Sequence, residues 1–227
     1  MSWDKSKFYS FIIENNVIGF FEKPLKLKSG RNSYWYVNWR NITEDTFLID
    51  KLTDYLIDFV SSLELKPDCF YGVPEGATKL GIITQFKWAK VQSDYGQNEY
   101  KLAMGRAKPK EHGDPKDKYF LGIPNGKVII LEDVTTTGGS LLQTINNLKD
   151  IGINIIAAIG LTNRNELRDD GKSVEQIILD KNVKYYSMSN AIELLPKIYK
   201  KLKPGEFIAK NIENYFKKYG IAEIKLL

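Results

Sequence analysis

The stretch Val128-Ile129-Ile130-Leu131-Glu132-Asp133-Val134-Thr135-Thr136-Thr137-Gly138-Gly139-Ser140 decides how this chain folds. Its apolar opening reads as a strand buried on both faces, and the apolar spacing from Leu141 to Ile151 reads as a helix. The strand delivers two adjacent carboxylates, Glu132 and Asp133, to its carboxyl end, and a loop of small residues then opens the helix. Gly138 and Gly139 allow a tight bend and close backbone approach to a ligand. The hydroxyls of Thr135, Thr136, Thr137 and Ser140, with the free amides of the helix start, suit a phosphate dianion. The carboxylates cannot hold a phosphate directly; they suit ribose hydroxyls, or a hydrated magnesium ion that carries other phosphates. The plainer alternative is that Glu132-Asp133 ends a buried strand and Gly138-Gly139 turns the chain. A Walker phosphate loop is excluded, because no Gly-Lys-Ser or Gly-Lys-Thr follows the glycines.

Around this unit the alternation continues. Cys69 to Val73 reads as a buried strand, Ala77 to Trp88 as a helix, Ile155 to Leu161 as a strand, and Val183 to Ser187 as a further strand. Continuous apolar strands alternating with helices predict an α/β fold with a mostly parallel sheet covered on both faces, and a ligand site beyond the carboxyl ends of the strands. Nearer the start, Phe8, Phe11, Ile12 and Ile18 predict an amphipathic helix ending near Gly19. A turn at Ser29-Gly30 precedes the strand formers Tyr34 to Val37. Thr43 is the predicted cap of a helix whose stripe runs Leu48, Leu52, Tyr55, Leu56, Phe59, Val60 and Leu63 and which stops before Pro67.

The 227 residues, 43% of them hydrophobic, suffice for one well-buried domain and are short for two. The whole chain, 1–227, is read as that domain. No apolar run is long enough to cross a bilayer, so a soluble, cytoplasmic protein with no membrane partner is expected. The one cysteine, Cys69, sits in an apolar stretch and reads as core packing in a reduced compartment. A net charge of +5 raises the question of nucleic acid. However, Lys197, Lys200, Lys201, Lys203, Lys210, Lys217 and Lys218 alternate with apolar residues at helical spacing, which predicts solvated helix faces and no nucleic-acid partner.

The run from the apolar strand through Glu132-Asp133, three threonines and Gly138-Gly139-Ser140 closely resembles the phosphoribosyl pyrophosphate motif of the type I phosphoribosyltransferases. Three further segments resemble the orotate branch of that family, in the right chain order. Leu27-Lys28-Ser29-Gly30-Arg31 followed by Trp35-Tyr36-Val37 is similar to its amino-terminal signature. The resemblance implies that Lys28 reaches the pyrophosphate donor and that the backbone around Trp35 and Tyr36 borders the orotate ring. Arg106 to Gly113, which contains the sole histidine, is similar to the loop that closes over the site in that branch. It carries Arg106, Lys110 and His112 to positions that contact pyrophosphate. The family often has lysine where this chain has Ala107, and Lys108 is the candidate replacement. Gly160-Leu161-Thr162-Asn163-Arg164 resembles the segment whose arginine pairs with the orotate carboxylate, with Arg168 as the competing candidate. Gly72 to Lys79 resembles the pyrophosphate-side loop, where some members have lysine at the position of Gly76, which leaves the role of Lys79 open.

The fold implied is the type I phosphoribosyltransferase fold: a central, mostly parallel sheet flanked by helices, a small hood from about residue 1 to 40, and a closing loop from about 106 to 120. The resemblance covers about residues 5 to 190. It implies catalytic roles for Arg106, Lys110, His112 and Asp133. Substrate contacts would come from Lys28, Trp35, Tyr36, Lys108, Glu132, Asp133, Val134, Thr135 to Ser140 and Arg164. Magnesium would arrive on the pyrophosphate donor, held at second hand by Glu132 and Asp133 with no direct protein ligand. A homodimer with shared sites is implied as well. Two other classes compete: a sister transferase for a purine base, which needs no arginine for a ring carboxylate, and a non-catalytic nucleotide- or RNA-binding regulator on the same fold. The presence of both the acid pair and the basic loop favours catalysis.

Overall fold

The computed structural model describes residues 2–106, 108, 110–112 and 118–227. Ala107, where the family often has lysine, lies outside them, as do Pro109 and residues 113–117 of the expected closing loop. The chain opens with helix α1 (Lys5–Glu14), the strands β1 (Ile18–Lys26) and β2 (Asn32–Val37), and helices α2 (Arg40–Glu44) and α3 (Thr46–Ser62). Then follow β3 (Cys69–Gly72), α4 (Thr78–Lys90), the short β4 (Met104–Gly105) and β5 (Phe120–Leu121), β6 (Lys127–Thr135) and α5 (Gly139–Asp150). The remainder is β7 (Asn154–Asn163), α6 (Val174–Leu179), β8 (Lys184–Asn190), α7 (Ala191–Leu202) and α8 (Glu206–Tyr219).

The expected parallel sheet is present, in the order β3-β6-β7-β8 with every neighbouring pair parallel. Its residues alternate between two apolar layers, as the two-residue strand period requires. Phe70, Ile129, Leu131, Ile159 and Leu161 face the layer built by α1, α3, α7, α8 and the β1/β2 ribbon. Cys69, Tyr71, Val128, Ile130 and Ala158 face the layer built by α5 and α6. Burying one such aliphatic side chain contributes about 1.5 to 3 kcal/mol, so this alternation fixes the register. Cys69 is a buried core residue, as expected. The lysines of α7 and α8 are all exposed while Leu194, Leu195, Ile198, Ile212 and Phe216 turn inward.

Three details of the amino-terminal region differ from the expected ones. The first helix stops at Glu14, because Asn16 adopts φ 51° and breaks the helical path, so Ile18 starts β1 instead of ending a helix. That strand pairs antiparallel with β2 across an irregularity between Phe20 and Leu25. Thr43 does not cap the third helix. It lies inside α2, and the cap is Asp45, whose carboxylate accepts from the amides of Phe47 and Leu48 at 2.8 and 2.9 Å. Among the described residues no helix is long and apolar enough to cross a membrane.

Candidate active site

A cleft of about 1110 Å³ opens at the carboxyl ends of β3 and β6, where parallel sheets place their ligands. Glu132 and Asp133 reach it because β6 runs past its neighbour: Leu131 is the last β6 residue paired with β3. Glu132 is only 6% exposed, and burial first, then the adjacent Asp133, holds its carboxyl well above the usual range, with Lys28 opposing. Asp133 Oδ1 accepts from the Val134 amide at 2.8 Å.

The predicted phosphate loop follows directly. Gly138 takes φ 69°, a left-handed conformation that glycine adopts without steric cost, and it caps α5. Thr136, Thr137, Gly138, Gly139 and Ser140 all line the cleft, as does Val134. The first turn of any helix leaves amides without intrahelical partners, and here they belong to this rim. Lys28 crosses from the turn between β1 and β2 and donates to Ser140 Oγ at 3.0 Å. Thr135 is placed differently from its neighbours: it is 1% exposed, and its hydroxyl bonds to the Tyr185 hydroxyl at 2.6 Å beneath the loop.

The second wall comes from β2 and the end of β7. Tyr36 lines the cleft, whereas the Trp35 side chain is fully buried behind it. Arg164 also lines the cleft although it is only 1% exposed. Its guanidinium carbon lies 3.7 Å from the centre of the Trp35 ring system, its Nε donates to Glu166 Oε1 at 2.7 Å, and its Nη2 donates to Ser33 Oγ at 3.0 Å. The rival Arg168 does not line the cleft. It donates from Nη1 to the Thr137 carbonyl at 2.6 Å and so supports the phosphate loop from behind.

The basic loop starts as a hairpin. Gly105 pairs with Phe120, and the amides of Arg106 and Lys110 donate to the carbonyls of Tyr119 and Lys118, each at 2.8 Å. Arg106 and Lys108 line the cleft; Lys110 and His112 are exposed and stand outside its lining. Lys79 is outside it too, donating to the Thr43 carbonyl at 3.2 Å and thereby tying α4 to α2. Gly76 sits against the acid pair, so that a Cβ there would collide with the Asp133 carboxylate. Glu75, in the segment likened to the pyrophosphate-side loop, lines the cleft, and the sequence reading missed Arg40, Gln143 and Asn147, which line it too. For Arg40 a signal existed, a cation directly after an aromatic strand at the cleft edge; the others carried none.

As for a metal, the described residues contain no group of three or more His, Cys, Asp and Glu side chains able to hold one. The donor set offered is the pair Glu132 and Asp133, kept open by the absence of a side chain at Gly76. That set fits a magnesium ion that keeps its waters and substrate oxygens, since magnesium binds through one or two carboxylates plus phosphates more readily than in an all-protein cage.

No family model matches the chain. It is 31% identical over 162 residues to an orotate phosphoribosyltransferase of Methanosphaera stadtmanae, covering 71% of this chain and 83% of that protein. It is 28% identical to an orotate phosphoribosyltransferase of Clostridium botulinum over 95% of this chain and 97% of that one. Among solved structures, an orotate phosphoribosyltransferase from Francisella tularensis superposes with a TM-score of 0.67 at 24% identity, over 94% of this chain and 99% of that one, which shows a shared fold.

Proposed function

The chain belongs to the orotate phosphoribosyltransferase family, and from that premise we propose that it joins orotate to phosphoribosyl pyrophosphate, releasing pyrophosphate and forming orotidine 5'-phosphate in pyrimidine biosynthesis. The observation that carries this reading is one cleft that unites Glu132-Asp133, the loop from Thr136 to Ser140, Lys28 and Arg164. A purine-specific relative has no use for a buried guanidinium on the base side; orotate, with its ring carboxylate, does.

In this mechanism the ring nitrogen of the orotate anion attacks the anomeric carbon, so the protein supplies no covalent nucleophile. Its residues orient two polyanions and neutralise the leaving group. The loop from Thr136 to Ser140 and the α5 amides take the 5'-phosphate. Asp133 and Glu132 accept from the ribose hydroxyls, and Arg164 pairs with the orotate carboxylate while Tyr36 borders the ring. Lys28, Arg106 and Lys108 face the pyrophosphate, and Lys110 and His112 reach it when the hairpin folds over, with His112 as proton donor. Closure keeps water from the cationic ribose. Glu132 and Asp133 would hold the water shell of a magnesium ion, which would supply neutralisation of the leaving group's charge.

Lys110 and His112, exposed and outside the cleft lining, suit a homodimer in which each serves the neighbour's site, working in the cytoplasm. The test is a base panel assayed with phosphoribosyl pyrophosphate and a divalent metal, read by the absorbance of orotate. Orotate should be the base consumed. Good turnover of adenine, guanine or hypoxanthine with none of orotate would refute the assignment.

A further inference from the structure

The wall behind Arg164 contains more charge than one ligand contact explains. Two guanidiniums, Arg31 and Arg164, are buried to 7% and 1% exposure around one carboxylate, Glu166, itself 1% exposed. Glu166 Oε1 accepts from Arg164 Nε at 2.7 Å, and its Oε2 accepts from Arg31 Nη1 at 3.0 Å and from the Tyr215 hydroxyl at 2.8 Å. Arg31 continues outward to Asp169, at 2.8 Å, on the surface. Buried ion pairs of this kind contribute little net stability compared with apolar packing, so stability alone does not account for the triad.

Orientation does account for it. A guanidinium has five N–H donors in one plane. Glu166 takes the one on Nε, Ser33 takes one on Nη2, the Tyr215 hydroxyl is a further partner, and the Trp35 ring centre lies 3.7 Å from the guanidinium carbon. The hydrogens left over belong to the two terminal nitrogens of a side chain that lines the cleft. An edge of that kind can grip a carboxylate with two parallel bonds. Arg31 and Arg164 are matched in charge by Glu166 and Asp169, and of these four only Arg164 lines the cleft.

We infer that Glu166 is the positioning residue of the base subsite. By locking Arg164 through Nε, and being locked in turn by Arg31 and by Tyr215 of α8, it makes the enzyme selective for a pyrimidine bearing a ring carboxylate. This rests on the orotate reading above and extends it to the carboxyl-terminal helix, beyond the motifs that carry the resemblance.

The test is steady-state kinetics of Glu166→Gln, Glu166→Asp and Tyr215→Phe, with orotate and with uracil, which lacks the carboxylate. Glu166→Gln should raise the orotate KM about 10- to 100-fold, the range for losing a hydrogen bond to a charged group. KM for phosphoribosyl pyrophosphate and the rate with uracil should stay unchanged, so that the orotate-over-uracil preference falls, and Glu166→Asp should restore part of it. Loss of all three together, or an unchanged orotate KM, overturns the proposal. If Glu166→Gln does not fold, Arg31→Lys decides beside Tyr215→Phe, because Arg31 donates to Glu166 and does not line the cleft: an orotate KM raised alone in Arg31→Lys supports the proposal, and an unchanged one overturns it. Failure of the orotate reading is recognised separately, as a wild-type protein that does not consume orotate.

Discussion

Replacing Arg164 and Arg168 by alanine, one at a time, should give opposite kinetic signatures. Arg164→Ala removes the partner of a carboxylate bound in a largely desolvated wall, a loss of about 3 to 5 kcal/mol, or roughly 150- to 5000-fold in orotate affinity. The folded protein should survive, because Glu166 keeps two donors, Arg31 and Tyr215, after Arg164 is gone. What the fold itself loses is two charge-assisted hydrogen bonds, to Glu166 and Ser33, about 1.5 to 3 kcal/mol each, and the contact with Trp35, about 2 kcal/mol when desolvated. These reach the lower part of ordinary net stabilities, about 5 to 15 kcal/mol, so a clearly lower melting temperature should accompany the kinetic change. Arg168→Ala instead removes the donor to the Thr137 carbonyl and loosens the phosphate loop, which should raise KM for phosphoribosyl pyrophosphate by about 10- to 100-fold. Initial rates with each substrate varied against saturating partner separate the two. Equal losses on both substrates for Arg164→Ala, or the orotate-selective loss appearing in Arg168→Ala, would refute this division of labour.

Three further outcomes follow from the site. Burial holds the Glu132 carboxyl above its ordinary value, so the stability it contributes is present below the usual carboxylate pKa and lost as pH rises through the raised one; Glu132→Gln should therefore flatten the fall of the melting temperature as pH rises above the usual carboxylate range, and a parallel pH profile for both proteins would count against it. Gly76→Ala should displace the Asp133 carboxylate, the end of a short side chain, lowering kcat/KM tenfold or more while the melting temperature moves little, roughly as for a surface change; full activity would show that Asp133 needs no fixed position. Mixing Lys110→Ala with Asp133→Ala subunits should restore about a quarter of the sites if each hairpin serves its two-fold partner, and proven exchange without recovery would show that each subunit uses its own loop.

The central sheet was legible because its strands are buried on both faces and therefore uninterrupted: Cys69 to Gly72, Val128 to Leu131 and Ile155 to Leu161 carry scarcely a polar residue. The acid pair and glycine loop were legible because their chemistry is contiguous in the chain. By contrast, β1 was hidden by Glu22, Lys23 and Pro24, which a two-stranded ribbon tolerates on its exposed side, as its largely exposed burial pattern shows. Asp45 lost to Thr43 as a cap because both residue types suit that position, and only the backbone shows which is extended. Partners distant in sequence left no local trace. Glu166 meets Arg31 across 135 residues, and Arg168 meets Thr137 across 31. Likewise nothing in three consecutive threonines tells that Thr135 turns its hydroxyl to Tyr185 while the next two face the cleft.

The most direct measurement is the stoichiometry of the reaction itself, with orotate loss and pyrophosphate release followed together in the presence of phosphoribosyl pyrophosphate and magnesium. The account predicts one pyrophosphate released for each orotate consumed, and neither change when the metal is chelated. Pyrophosphate released without loss of orotate, or orotate left untouched while a purine base is consumed, would contradict it.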